Sequence, residues 1–142
     1  MEKGVTLILP YPVSANRYWR TYIPKGFRKA MTVVSNEAQK YKLAVQRIAM
    51  EAGIGNPVEG RIAVSYTLYP RRPKDWFKRM MRDLDHWDDT VQCIDLDNAQ
   101  KVMFDALKGI AFVDDDMIFR INGQRAEPDE MGPRVEVRIE RC

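Results

Sequence analysis

At 142 residues the chain is about one domain in length, and 45% apolar with 30% charged residues is the balance of an ordinary globular protein rather than a disordered or fibrous one. No apolar run approaches the roughly 20 residues of a membrane-spanning helix, and the stretch before Pro10 and Pro12 is too short for a signal peptide, so the expected location is cytoplasmic. The net charge of +3 says little, but its distribution says more. From Lys3 to Asn36 no acid occurs, while residues 71–82 (RRPKDWFKRMMR) hold six basic residues and one acid. The acids crowd into residues 83–116. Basic arms around an acidic centre suit a polyanion approached through cations; a merely solvated surface is the competing reading. Cys93 and Cys142 have no metal-binding spacing and are expected to be free thiols, Cys142 fraying at the end.

In chain order, residues 5–9 (VTLIL) form a strand stopped by prolines. Residues 13–34 lack a period and are expected to be a loop. Ser35 caps a helix whose inner face carries Ala38, Tyr41, Val45, Ile48 and Ala52, ended by Gly53 and Gly55. Residues 61–69 alternate strictly, with Ile62, Val64, Tyr66 and Leu68 on one face of a strand. Residues 71–94 show no period and are expected to be a long basic and aromatic connection. A second helix covers about 97–108, with Ala99, Val102 or Met103, Ala106 and Ile110 inward. An acidic turn at 114–116, a strand at 117–121 and an alternating strand at 134–140 complete the chain. The fold expected is α+β: a small mixed sheet packed with two main helices, in the order β-α-β-α-β-β.

The chemistry centres on Asp95-Leu96-Asp97-Asn98-Ala99-Gln100-Lys101. Asp97, Lys101 and Asp105 recur at steps of four, and Asp95 precedes them in an extended approach. Carboxylates of the 114–116 turn returning beside Asp95 and Asp97 would repel unless a cation lay between them, and an oxygen-only ligand set suits Mg²⁺ or Mn²⁺. Such a site, with a lysine for developing charge, can hydrolyse a phosphodiester. A surface ladder of ion pairs through Asp97, Lys101 and Asp105 explains the same spacing equally well.

Three segments, LPYPVSANRYWR, IDLDNAQKVMFDALKG and FVDDDMI, stand in order along the chain. Together they resemble the RusA-type Holliday-junction resolvases: the first the family's N-terminal pattern, the second its central D-L-D-N-x-x-K-x-x-x-D-A-L motif, and the third its later aspartate pair. The resemblance spans nearly the whole chain. It implies a Mg²⁺-dependent homodimer that cuts opposed strands of a four-way DNA junction, with Asp95, Asp97 and Asp115 as metal-binding catalytic carboxylates and Lys101 as the essential lysine. The run of three aspartates leaves Asp116 as an alternative to Asp115. Residues 71–94 exceed the family's usual length and are expected to be an insertion. They hold a second copy, Arg82-Asp83-Leu84-Asp85, without the asparagine or lysine of the motif, so catalysis is assigned to residues 95–101. Asn16, Arg17 and Arg20 are expected to border DNA, as are Arg71, Arg72, Lys74, Lys78, Arg79 and Arg82, with Trp76 or Phe77 either stacking on a base or packing the insertion down. His86 is expected to lie outside the site. Asn98 is expected to orient a phosphate or water or to cap its helix. Asp105 is expected to be structural, pairing with Lys101 or Lys108. A nuclease for flapped DNA and a silent DNA-binding module remain the competing functions.

Overall fold

The computed structural model describes residues 4–142. Strand β1 (Val5–Pro10) buries Leu7 and Leu9 and pairs antiparallel with β6 (Arg134–Arg141) from Val5–Ile139 to Pro10–Arg134. β6 pairs on its other side with β4 (Ile62–Tyr69), which pairs in parallel with β5 (Ile118–Arg125), so the sheet order is β1-β6-β4-β5. As a central strand β4 buries Ala63 as well as the alternating residues Ile62, Val64, Tyr66 and Leu68.

Helix α2 (Asn36–Glu51) starts where Ser35 Oγ accepts the Ala38 amide at 3.2 Å. It buries Ala38, Tyr41, Val45 and Ala49. Ala52 is an exposed cap rather than part of the inner face, and Gly53 then takes φ +91°. Helix α4 (Leu96–Leu107) buries Ala99, Val102, Met103, Phe104, Ala106 and Leu107. Phe104 meets Tyr66 and Phe112 edge to face, at 6.4 and 6.3 Å between centroids. Each buried aliphatic side chain in this core contributes about 2 kcal/mol. No described helix is long and apolar enough to cross a membrane.

Two stretches expected to lack regular structure have it. Within residues 13–34 lie the single helical turn α1 (Ala15–Tyr18) and a hairpin of β2 (Trp19–Tyr22) with β3 (Met31–Val34), where Thr21 and Thr32 hydroxyls meet at 3.1 Å. These strands have four residues each and bury almost nothing, so they leave no apolar period to read. Within residues 71–94 lie α3 (Trp76–Asp83) and a 3-10 segment (Leu84–Thr90). Helix α3 buries no residue, which is why its sequence lacks an inner stripe. The segment is anchored elsewhere: Trp87 is buried, with Nε1 donating to Glu127 Oε1 at 2.6 Å, and Arg125 Nη2 donates to the carbonyls of Asp88 and Val91. Cys93 and Cys142 are free thiols, as expected, and the Cys142 amide donates to Arg61 O at 3.1 Å.

Arg134 is the one buried charged residue described. Nη1 and Nη2 donate to the two Asp129 carboxylate oxygens at 2.8 and 3.0 Å, Nε donates to Glu136 Oε2 at 3.3 Å, and the guanidinium lies 3.8 Å from the Tyr69 ring centroid. The bond from Arg134 holds the Asp129 carboxyl below its ordinary range. A carboxyl depressed on folding adds stability above its unfolded pKa and loses it as pH falls through the depressed value. Arg134→Ala should therefore lower the unfolding free energy by about 2 kcal/mol at neutral pH, less than a fully buried pair because Asp129 stays partly hydrated. Chemical denaturation from pH 7 down to 3 should show the difference between variant and parent shrinking at the acid end.

Candidate active site and DNA-facing cleft

Asp95 precedes α4 in extended conformation (φ −63°, ψ 146°), its carbonyl accepting the Ala99 amide at 2.9 Å while its side chain makes no capping bond. Asp97 lies in the first turn, and both side chains are exposed. Three contacts fix this end of the helix without using either carboxylate. Asn98 Oδ1 accepts the Ala15 amide at 2.7 Å, Tyr11 Oη accepts the Ile94 amide at 2.7 Å, and Tyr66 Oη donates to Gln100 Oε1 at 2.9 Å. Asn98 thus neither caps its helix nor faces solvent fully; it ties α4 to α1. The Tyr66 phenol is pushed up by burial first and by the charge of Asp97 second, and its hydroxyl meets Leu96 O and Gln100 Oε1, one residue before and three after Asp97. Asp95 instead lines a cleft on the α1 side. Tyr66 was not recognisable as a site residue in the sequence, because a tyrosine alternating along a strand looks like core, and Tyr11, between Pro10 and Pro12, has no periodic pattern around it.

Lys101 is exposed, one turn after Asp97. The ladder Asp97–Lys101–Asp105 does not form: Asp105 accepts the Tyr18 hydroxyl at 2.5 Å and pairs with Lys42 at 3.1 Å, rather than with Lys101 or Lys108. Burial, followed by the bond to Asp105, keeps the Tyr18 phenol protonated well above its ordinary range. Asp105 is structural.

Asp115 opens the 3-10 turn Asp115–Met117, its amide bound by Asp114 Oδ1 at 2.7 Å. Asp114 pairs with Lys108, just past the last turn of α4, at 3.5 Å. The β4–β5 ladder runs from Ile62–Ile118 to Leu68–Arg125, so Asp115 lies beyond the Ile62 end, whereas the Tyr66 hydroxyl meets the first turns of α4 at Leu96 O and Gln100. Twelve helical residues at about 1.5 Å each separate the two acidic groups by on the order of 18 Å. The expected return of the 114–116 turn beside Asp95 and Asp97 therefore does not occur within one chain. Among the described residues no group of three or more His, Cys, Asp or Glu side chains is placed to hold a metal. The second aspartate copy is occupied differently: Arg82 forks onto Asp83 at 3.0 to 3.2 Å, and His86 is exposed, 4.0 Å from Asp89.

The cleft beside Asp95 measures about 870 Å³. Asp95 and Asn98 line it together with Arg17, Arg71 and Arg79, which come from α1, the connection after β4 and α3. Arg17 pairs with Glu37 at 2.8 Å and Arg79 with Asp75 at 2.9 Å. Arg71 is exposed and has no ion-pair partner among the described residues. Away from the cleft, Asn16, Lys74 and Lys78 are exposed, and Arg20 lies over Tyr22 in the hairpin. Arg72 stacks on Trp76 at 4.2 Å and reaches Glu130 at 3.9 Å. Trp76 is half-buried, whereas Phe77 is exposed.

An α+β chain that sets two exposed carboxylates at a helix start, above a cleft rimmed by arginines, has the equipment of a phosphodiester-cleaving nuclease. A family model described as Endodeoxyribonuclease RusA matches residues 10–140, and the chain belongs to that family. Its members are crossover-junction endodeoxyribonucleases, hydrolases of branched DNA that generally depend on a divalent metal. No curated protein matches the chain.

Gly123 sits opposite Tyr66 in the ladder, and a Cβ added there would lie 2.3 Å from a carbon of the Tyr66 ring. Gly123→Ala must displace the side chain that holds the start of α4. It should cost about 1–3 kcal/mol in thermal or chemical unfolding and depress nuclease activity more than Gly55→Ala, where an added Cβ has nothing within 4 Å.

Proposed function

We propose that this protein is a Mg²⁺-dependent homodimer, working in the cytosol, that resolves four-way DNA junctions by paired symmetric cuts. The observation carrying this reading is the exposed Asp95–Asp97 pair at the start of α4, neither side chain engaged by a hydrogen bond or ion pair among the described residues, beside a cleft rimmed by arginines in a RusA-family chain. Lys101 stabilises charge developing on the cleaved phosphate. Arg17, Arg71 and Arg79 hold the flanking backbone, with Asn16, Arg20, Arg72, Lys74, Lys78 and Arg82 extending the contact, and residues 71–94 act as an insertion that walls one side of the cleft.

The oxygen donors suit a hard cation, and the chemistry such a cation supplies is Lewis acidity toward phosphate and water. One chain does not assemble the set. The separation along α4 leads us to assign the third carboxylate, Asp115 with Asp116 as its neighbour, to the second copy of a two-fold dimer, so that each site takes Asp95 and Asp97 from one chain and Asp115 from the other.

Asp97→Asn should abolish cleavage of a synthetic junction in Mg²⁺ while binding is kept or tightened; parallel loss of both would contradict the role. Mixing inactive Asp97→Asn and Asp115→Asn chains is the sharper test. A site shared between chains leaves each heterodimer one intact site, and about a quarter of wild-type sites should return as single nicks. Sites contained within one chain would return none. Cleavage of a flap but not of a junction would replace the substrate assignment. Arg71→Ala should weaken junction binding and make its salt dependence shallower by about one unit of log–log slope, read from titrations at several salt concentrations.

A further inference from the structure

Helix α3 has two flanks of different chemistry. Arg79 lines the cleft that holds Asp95, and Asp75, one turn earlier, pairs with it at 2.9 Å. Phe77 and Met81 stand two residues to either side of Arg79, about 200° around the helix, so they project from the opposite flank. They are 60% and 67% exposed, in a helix that buries no residue. Four residues apart, the two side chains are neighbours and form one apolar strip.

The strip is bare without being loose. The Phe77 ring meets Trp76 edge to face at 5.7 Å between centroids, and Arg72 is stacked on Trp76 in turn. Phe77 is thus backed by a half-buried indole that is itself clamped. At the end of the helix Leu84 turns the chain at φ +53°, a strained conformation for leucine, and Trp87 three residues on is buried. The helix is anchored through its flanking residues while its outer side is left to solvent.

Charge selects the occupant. Lys74 and Lys78 are exposed and have no ion-pair partner among the described residues, whereas the acids at the two ends of the helix, Asp75 and Asp83, are already taken by Arg79 and Arg82. Apolar side chains bordered by free cations suit a polyanion that also offers flat apolar faces. Within a continuous duplex each base-pair face is covered by its neighbour, and phenylalanine or methionine must unstack a step to enter. At a branch point the arms end in base pairs whose outer faces are uncovered, and stacking on them needs no such opening.

We propose that α3 is a wedge between two arms of the junction. Arg79 and Arg71 hold the phosphates of the strand in the cleft, Phe77 and Met81 rest on the exposed end base pair of the adjacent arm, and Lys78, between the two flanks, meets the phosphates that join them. This rests on the junction-cleaving reading above and names the residues that tell a branch point from plain duplex.

The test uses the full chain in EDTA, so that binding is read without cleavage, on a four-way junction and on a plain duplex made from the same arms. The double variant Phe77→Ser with Met81→Ser should bind the junction about tenfold more weakly and the duplex as the parent does. Phe77→Leu should keep most of the preference, and Lys78→Ala should weaken both complexes alike. Thermal unfolding should be the same for all of them, since the replaced side chains are exposed. With Phe77 replaced by p-benzoylphenylalanine, irradiation should cross-link the protein to nucleotides at the branch point. A junction-to-duplex ratio unmoved by the double variant, an equal loss on both substrates, or cross-links confined to the outer parts of the arms would each overturn the wedge. If the parent still cut junctions, any of these results would leave the resolvase reading standing. A parent with no preference for the junction would sink that reading and the wedge with it.

Discussion

Helix α4 is a rod held at both ends. Its hydrogen-bonded backbone fixes the distance between Asp95 and Asp97 at the start and the Asp114–Asp116 turn past the finish, and its inner face is packed into the core by Val102, Met103, Phe104 and Leu107. A metal ligand set needs its oxygens within a few ångströms of one point. A helix of three turns cannot be bent to bring its two ends there. This single constraint decides which carboxylates one chain can offer together and directs attention to the surface at which a second chain could supply the rest.

The start of α4 is pinned by groups that leave the acids alone. Tyr66 reaches it from the sheet, Ala15 of α1 donates its amide to Asn98, and Tyr11 reaches it from the loop after β1 to accept the Ile94 amide. Buried side-chain nitrogen and oxygen atoms all have hydrogen-bond partners among the described residues. Gly123 makes room for Tyr66, so a residue without a side chain on an edge strand takes part in positioning the candidate site. Rigid support around exposed, unpaired acids is what a preorganised charge site requires. The basic rim is more restrained than its charge count suggests, since Arg17, Arg79 and Arg82 each lie against an acid. DNA would have to compete with those pairs, and exposed pairs of this kind cost little to break.

The main elements were legible because their signals were strong: the alternation of 61–69 and 134–140, the Ser35 cap, and the three-and-four spacing along α2 and α4. The hairpin at Trp19–Val34 and helix α3 were not, because neither buries a stripe and periodicity reports burial rather than backbone shape. At the site, the motif located Asp95, Asp97 and Lys101 on one helix but carried no information about where the chain goes after Gly109. Proximity of Asp115 to Asp97 was inferred from a returning strand. That strand does return, in parallel with β4, but it starts at the far end of the helix. Nor could spacing show that Asp105 turns to Tyr18 and Lys42, since those partners lie on elements distant in sequence.

A divalent ion held between two copies of the chain must be lost when the copies separate. Mn²⁺ binding, followed by electron paramagnetic resonance across a dilution series that spans the dimer dissociation, tests this directly. Affinity should collapse as the protein becomes monomeric, and Asp95→Asn and Asp115→Asn should each weaken it in the dimer. Equally tight binding by the monomer, or indifference to Asp115, would contradict the account.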